Sequence, residues 1–465
     1  MSRNIFIAVS TGQNVANLPP ILELAEKGDR VLWVESRVAR EQGWTAGARL
    51  VLEGYKIGEL APPLEVDEIN NPIEVASRLG CREDVVAEIK GGASLFIVAN
   101  GGHKLTPIGL IKAFDKHKPT ILYGDDRPAV LHVFRDGLGG SPETMPYSRH
   151  RLDLSDILRA SGYAVPSGTE QPIKLWPANR HLSPPNESYG VDAERTASIH
   201  DQHHLWGLAE ARPGEPVTFD RAVARLHESE MVGFVKAASQ LASRLRKLKV
   251  RDVSSLETIP ERARNEARAA FNAASRLVSS AQLAEGRGGL VAPDTKIGTV
   301  FEEAVARRLL AWLAGKEGLD RGAQSVWWNV NVASTAEPGT IAAQFDLLIV
   351  LKNGLLLHIE CKSVAADQKD LDARLLNLQR AGSRLARMAV CAPIYTQFSG
   401  EPWFEHYHAF RAKVEGLRDI PFLPMTLPGQ PASYRRKDGD GVRKIPCATF
   451  EEAVERFVRP YIPDP

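Results

Sequence analysis

The strongest constraint in this sequence is a rhythm in its first third. Four short apolar runs, at 4–9, 30–34, 94–99 and 119–123, alternate with segments whose apolar residues recur at helical spacing, at 19–27, 72–79, 83–90 and 107–114. An apolar run of five or six residues reads as a strand buried on both faces. Such strands, joined through helices, build a mostly parallel sheet with helices on its faces, so the expected fold class is α/β. Gly28 and the Gly91-Gly92 pair supply helix stops.

At about 150 residues per domain, a chain of 465 residues is expected to hold two or three. Proline and glycine punctuate 142–216, and helical patterns follow at 219–249 and 260–285. Within them 236–251 carries Lys236, Arg244, Arg246, Lys247, Lys249 and Arg251 and no acid, read as a solvated helix face with phosphate contact as the alternative. From 291 the pattern becomes a helix at 298–314 (Phe301, Val305, Leu309, Leu313), strand runs at 326–332, 343–351 and 355–361, a helix at 370–378 and a run at 388–392. The expected division is 1–145, a Rossmann-like domain; 146–290, a linker or helical insertion; 291–395, a compact α/β domain; and 396–465, its C-terminal extension.

The net charge of +1 excludes a strongly basic coat and an acidic tail, but leaves room for a locally basic groove. The four cysteines form no CxxC pair, which argues against structural zinc and a disulfide framework. No apolar run approaches the roughly 18 residues of a membrane helix. The opening run is also too short for a secretory leader. A cytoplasmic protein without membrane contact is expected.

Charges inside apolar runs are costly unless they bind something. Asp346 interrupts 345–350, and Glu360-Cys361-Lys362 ends 355–361. A two-residue Asn353-Gly354 turn would put the two carboxylates on different faces. A three-residue loop at 352–354, with Gly354 left-handed, places Asp346 opposite Glu360 and is the expected geometry. Converging carboxylates can hold a hard divalent cation, and Lys362, two residues after Glu360, shares its face. A structural Asp–Lys and Glu–Lys network is the alternative. The D…ExK pattern with an upstream helical glutamate resembles the PD-(D/E)xK nuclease superfamily, and 298–302 (GTVFE) resembles its helical GxxxE motif. Gln379 lies on the following helix, where many members carry Gln or Lys. The resemblance implies a restriction-endonuclease-like fold in which Asp346 and Glu360 bind Mg²⁺ or Mn²⁺ with help from the Cys361 carbonyl. It also implies that Lys362 positions the attacking water and that Glu302, or its neighbour Glu303, holds a metal-bound water or a second ion.

At the other end of the chain, Ser10-Thr11-Gly12-Gln13-Asn14 follows the first strand and Asn100-Gly101-Gly102-His103-Lys104 the third. Ligands of open α/β sheets bind at such strand ends, where small residues let backbone N–H groups approach a phosphate. Glu35-Ser36 adds a polar edge able to read a base or ribose. Ordinary strand-to-helix turns are the alternative. The first turn lacks GxGxxG, which weakens a dinucleotide reading, and Ser10 has no nucleophile elbow. The segments STGQNVANLPP and NGGHK resemble the ligand loops of the CARF domain, the CRISPR-associated Rossmann fold. That resemblance spans about 1–145 and implies binding of a cyclic oligoadenylate, usually cyclic tetraadenylate across a homodimer. Ser10, Thr11, Gly12, Gln13, Asn14, Asn100, Gly102, His103 and Lys104 would contact the ring.

A CARF domain followed by a PD-(D/E)xK domain resembles the ancillary nucleases of type III CRISPR systems. The implied function is cyclic-oligoadenylate-activated cleavage of DNA, RNA or both in antiviral defence. Two alternatives stay open: a non-catalytic sensor with a degenerate nuclease fold, and a domain that degrades its own ligand through His103 and Lys104. The His200–His204 cluster reads as a loop, Trp327-Trp328 as core with base stacking as the alternative, and Arg435-Arg436-Lys437 as a solvated turn with nucleic-acid contact as the alternative.

Overall fold

The computed structural model describes residues 3–102, 104–149, 152–167, 172–176, 322–362, 368–393, 420–425, 433–438, 441–446 and 448–463, with Glu261 and positions 302, 305, 306, 308–310, 312 and 313. Apart from Glu261, the helical patterns at 219–249 and 260–285 lie outside the described residues, as do the basic stretch 236–251, the histidine cluster and His103.

The first sheet comprises β1 (Asn4–Val9), β2 (Arg30–Glu35), β3 (Gly58–Glu59), β4 (Leu64–Glu65), β5 (Ser94–Val98), β6 (Thr120–Asp126), β7 (Ala129–Phe134) and β8 (Glu143–Pro146). Its order is β3-β2-β1-β5-β6-β7-β8, with β4 also beside β2. The strands from β1 to β6 pair in parallel, and β7 and β8 add an antiparallel edge. The helices between them are α1 (Leu18–Leu24), α2 (Arg37–Glu41), α3 (Ala46–Gly54), α4 (Pro72–Gly80), α5 (Glu83–Lys90) and α6 (Thr106–Phe114). Burial on both faces explains the unbroken apolar runs: Ile5, Ile7 and Val9 pack toward Val75, Leu79 and Leu110, while Phe6 and Ala8 join Val31 and Trp33 in a separate core.

The second sheet runs β10-β11-β12-β13-β14-β15, with β9 beside β11. Its strands are β9 (Tyr163–Ala164), β10 (Ile173–Trp176), β11 (Ala323–Ser334), β12 (Ile341–Leu351), β13 (Leu356–Cys361), β14 (Arg387–Pro393) and β15 (Phe422–Met425). It therefore takes its first two strands from the 146–290 segment, through Ile173↔Trp328 and Tyr163↔Ser334. Before β9, α7 (Leu154–Ala160) packs on α3, and any Cβ at Gly47 would meet the Arg159 carbonyl oxygen at 2.0 Å. The parallel β13–β14 pair needs a crossover, which α8 (Gln368–Ala381) supplies. A separate hairpin, β16 (Ser433–Asp438) and β17 (Gly441–Pro446), precedes α9 (Phe450–Val458).

The β12–β13 turn has the three-residue geometry. Leu351 donates its N–H to the Leu355 carbonyl at 2.9 Å, and Gly354 (φ +77°) donates to the Leu351 carbonyl at 2.9 Å. The ladder then runs Val350↔Leu356 to Leu347↔Ile359, so Asp346 and Glu360 come next, opposite each other. A Cβ on Gly354 would sit 3.2 Å from Leu152 and 3.4 Å from both Pro19 and Val15. Gly354→Ala is expected to cost about 1–2 kcal/mol from the left-handed backbone alone, read as a lower urea midpoint at unchanged m-value.

Candidate active site

Asp346 ends up in the core because β12 is buried from Phe345 to Leu351, and Glu360 because β13 is buried throughout. They are 6% and 1% exposed. One oxygen of each carboxylate and one nitrogen of His358 lie within 4.8 Å of one another. His358 shares a face with Glu360 because side chains two apart on a strand point the same way. Its Nε2 is 3.4 Å from Glu360 Oε2 and accepts the Asp346 N–H at 3.3 Å. The β11–β12 register skips the Asn329–Asp346 position, and Asn329 is left-handed (φ +56°), so that amide turns to the imidazole instead. The Cys361 N–H donates to Asp346 Oδ2 at 2.7 Å and fixes the carboxylate.

Cations ring this acidic group. Lys362 Nζ stands 2.7 Å from Glu360 Oε1 and 3.0 Å from Asp370 Oδ2, and Arg374 Nε is 3.6 Å from Glu360 Oε1. Lys362 Nζ thus pairs closely with Glu360 Oε1, while the buried Glu360 Oε2 has no hydrogen-bond donor. Burial, then repulsion from Glu360 and Glu302, holds the Asp346 carboxyl well above the usual range, against the Cys361 N–H and Arg374. Burial, Arg374 and Lys362 push His358 down to about 3, so the imidazole is neutral. Burial opposes the charge on Lys362, but Glu360 and Asp370 outweigh it and its pKa rises. Burial raises the Cys361 thiol, so its side chain stays protonated.

Glu302, on the helical stretch before β11, accepts the Trp328 indole N–H at 3.2 Å, and its charge reaches Asp346. Trp327 and Trp328 are core residues, 2% and 1% exposed. From α8, Arg374 meets Glu360 directly and Asp370, one turn earlier, reaches the site only through Lys362 and Arg374; the Gln379 amide instead faces the Arg384 carbonyl at 3.5 Å. Sequence reasoning missed His358 and Arg374. Strand period two from Glu360 would have found the first, and helix spacing i+4 from Asp370 the second.

The donor set fits a divalent cation. Two buried carboxylates and a neutral imidazole converge, and the buried Glu360 Oε2 lacks a hydrogen-bond donor. Asp346, Glu360 and His358 would hold it.

On the first sheet, the parallel pairing of β1 and β5 sets residues 10–14 beside residues 100–102, at the point where strand order reverses. Ser10 is 3% exposed and its hydroxyl has no hydrogen-bond partner. Gly102 is left-handed (φ +87°), Lys104 is exposed, and Gly12 packs against Trp44. Thr11 Oγ1 accepts the Gln13 N–H at 3.1 Å. Other polar side chains here are engaged by the fold. Asn14 accepts the Thr11 N–H at 3.0 Å and donates to the Trp44 carbonyl at 2.8 Å. Asn100 clasps the Gly124 backbone at both amide atoms. Buried Glu35 accepts from Thr45 at 2.6 Å and Arg49 at 3.1 Å, and Ser36 caps α2. Gln13 Oε1 accepts the Arg384 N–H at 2.7 Å, tying this loop to the turn after α8. A crevice follows that seam, with Asn100, Asp125 and Tyr147 on one side and Asn353, Gly354 and Leu385 on the other.

No protein-family model matches the chain, and no curated protein matches it in sequence. Among solved structures it is similar to protein VC1899 from Vibrio cholerae, at 14% identity and TM-score 0.57, over 90% of this chain and 94% of that one. It is also similar to Can2 from Sulfobacillus thermosulfidooxidans in complex with cyclic tetra-adenylate (12% identity, TM-score 0.48, 84% of this chain and 89% of that one). A third is a type III CRISPR defence DNA nuclease activated by cyclic oligoadenylate (16% identity, TM-score 0.47, 99% of this chain), of which this chain spans 52%. Among the described residues no helix is long and apolar enough to cross a membrane. What the chain shares with VC1899 is the fold, a mixed α/β architecture that here carries two large sheets.

Proposed function

We propose that this chain is a metal-dependent nuclease of type III CRISPR antiviral defence, working in the cytoplasm as a homodimer switched on by a cyclic oligoadenylate such as cyclic tetraadenylate. The observation that carries the reading is the convergence of Asp346, His358 and Glu360 on one buried sheet face, with Lys362 at its rim. A bound Mn²⁺ or Mg²⁺ supplies Lewis-acid stabilisation of charge developing on a phosphoryl group. The Cys361 N–H holds Asp346 in place. Lys362, itself held by Glu360 and Asp370, presents a fixed cation that orients water or the scissile phosphate. Arg374 steadies Glu360 from the helix side. The CARF-like loops at residues 10–14 and 100–104 are the proposed activator site. Ser10, Gly12, Gly102 and Lys104 are its best-placed contacts, because the amides of Asn14 and Asn100 are spent on the backbone.

The test is cleavage of labelled single- and double-stranded DNA and RNA with Mn²⁺ or Mg²⁺, with and without cyclic tetraadenylate. Activity is expected only with both metal and activator. Equal rates without the activator would remove the switch, and full activity in excess chelator would remove the metal.

A further inference from the structure

Beside α8 lies a pocket of about 570 Å³ that neither candidate site uses. Three arginines line it, each from a different part of the fold: Arg127 from the turn between β6 and β7, Arg387 from the start of β14, and Arg456 from α9. Among the described residues no carboxylate lines it. Two acids that could have neutralised the arginines are committed elsewhere. Asp125 accepts the backbone N–H groups of Asp126 and Arg127, at 2.8 and 3.2 Å. Glu452, four residues before Arg456 where a helical ion pair would form, instead accepts the Thr449 N–H at 3.0 Å in the α9 capping box. Arg127 gives one nitrogen to the Tyr461 hydroxyl at 2.5 Å, and Arg387 gives one to the carbonyls that precede it, the closest being Leu385 at 2.7 Å. Among the described residues none of the three guanidinium groups has an ion-pair partner. Gathering like charges without acids raises the energy of the folded chain, and a bound anion lowers it.

The rest of the lining says what kind of anion fits. The pocket has the size of a small-molecule site, larger than a bare ion needs. Its floor is apolar, with Leu375 and Phe457 both buried. Arginine forks take phosphate oxygens in pairs, so three of them suit two or three phosphates. Half-buried Gln379 adds an amide. Its Nε2 faces the Arg384 carbonyl at 3.5 Å, which leaves its own carbonyl oxygen to accept and a second N–H to donate. A group that both donates and accepts matches the edge of a nucleobase. The pocket is also separate from the carboxylates. Arg387 pairs with Leu357, three residues before Glu360 on β13, so this wall lies about 10 Å along the strand from Glu360. Arg127 already reaches from the first sheet to Tyr461, with its guanidinium 4.8 Å from the ring centre, and a ligand here would add a second strap across the same join.

We propose that the pocket between Arg127, Arg387 and Arg456 is a second ligand site, built for a nucleoside di- or triphosphate. It stands whether or not the chain cleaves nucleic acid. The experiment is isothermal titration of the full chain in EDTA, which keeps divalent cations out of the carboxylate site, with ATP, AMP and inorganic triphosphate as probes. One saturable site is expected for ATP, with AMP and inorganic triphosphate each weaker. Losing one charged contact to phosphate costs about tenfold or more in affinity. Arg456→Ala should therefore weaken ATP by at least about tenfold, and Arg456→Glu by more. Arg456 has no ion pair to lose, so neither variant should lower the unfolding temperature without ligand. Lys104→Ala, at the first-sheet loops, should leave ATP affinity unchanged. No binding of ATP, or equal affinity in the wild type and Arg456→Glu, overturns the proposal. Weakening by Lys104→Ala with none by Arg456→Ala moves the ligand to the first-sheet loops and overturns it too. Inorganic triphosphate binding as tightly as ATP overturns the nucleoside part.

Discussion

Asp346→Ala and Glu360→Ala should each lower phosphodiester cleavage by about a thousandfold while the fold survives. The expected loss follows from the several kcal/mol that a metal contributes to a phosphoryl transition state, at about 1.4 kcal/mol per tenfold. The double variant should be little worse than either single one, because the two carboxylates hold one group and act as a unit. Stability should move differently from activity. Asp346 is buried beside Glu360 and within reach of the Glu302 charge, so its ionised form is a burden on the metal-free fold. Asp346→Asn is therefore expected to match or exceed the wild-type unfolding temperature in EDTA, and to lose the stabilisation that Mn²⁺ gives the wild type. That stabilisation is about 2.7 kcal/mol at a hundredfold excess over Kd. An Asp346→Asn chain that still cleaves fully, or that Mn²⁺ still stabilises, would contradict the site.

The second large effect is on pH and concerns His358. Unfolded, its imidazole takes a proton near pH 6.5; folded, it resists until about 3. The unfolded chain thus binds more protons across that window. The stability His358 contributes is full above pH 6.5 and is lost as pH falls toward 3, at up to about 1.4 kcal/mol per pH unit. Between pH 6.5 and 5 that is about 2 kcal/mol. Asp346 acts in the opposite direction: its raised folded pKa means that folding takes up a proton above about pH 4, so its contribution is lost as pH rises. Comparing wild type with His358→Gln, whose amide oxygen can still accept the Asp346 N–H, cancels the Asp346 contribution to first order. Urea midpoints at pH 7.5, 6 and 5 should converge on the acid side, with the wild type losing about 2 kcal/mol more than the variant. Parallel profiles would mean that His358 is accessible to protons in the folded chain.

Much of this architecture is legible in the sequence because it rests on local periodicity. The runs at 4–9 and 30–34 are buried on both faces, and Asn353-Gly354 following Lys352 fixes a turn whose register aligns Asp346 with Glu360. What escapes is non-local or directional. β9 and β10 lie in a stretch rich in proline and glycine and are strands only because β11 offers its edge. A histidine inside an apolar run reads as core until its strand partner is known to be Leu348, two residues beyond Asp346. Asn14 and Asn100 look outward-facing in a list of polar residues, yet their amides turn in to bind Trp44 and Gly124. Sequence shows which side chains can make hydrogen bonds, and the backbone decides which of them already have.

One apolar cluster passes from Val15, Leu18 and Leu152 on one sheet's side to Phe345, Leu348 and Leu356 on the other's, and Gly354 presses against Val15 and Pro19. The two halves are therefore welded rather than tethered. Transplanting either onto a foreign partner would strand oily surface at the join, so specificity in such a chain has to be re-engineered from within, by rewriting loops while the seam is kept intact.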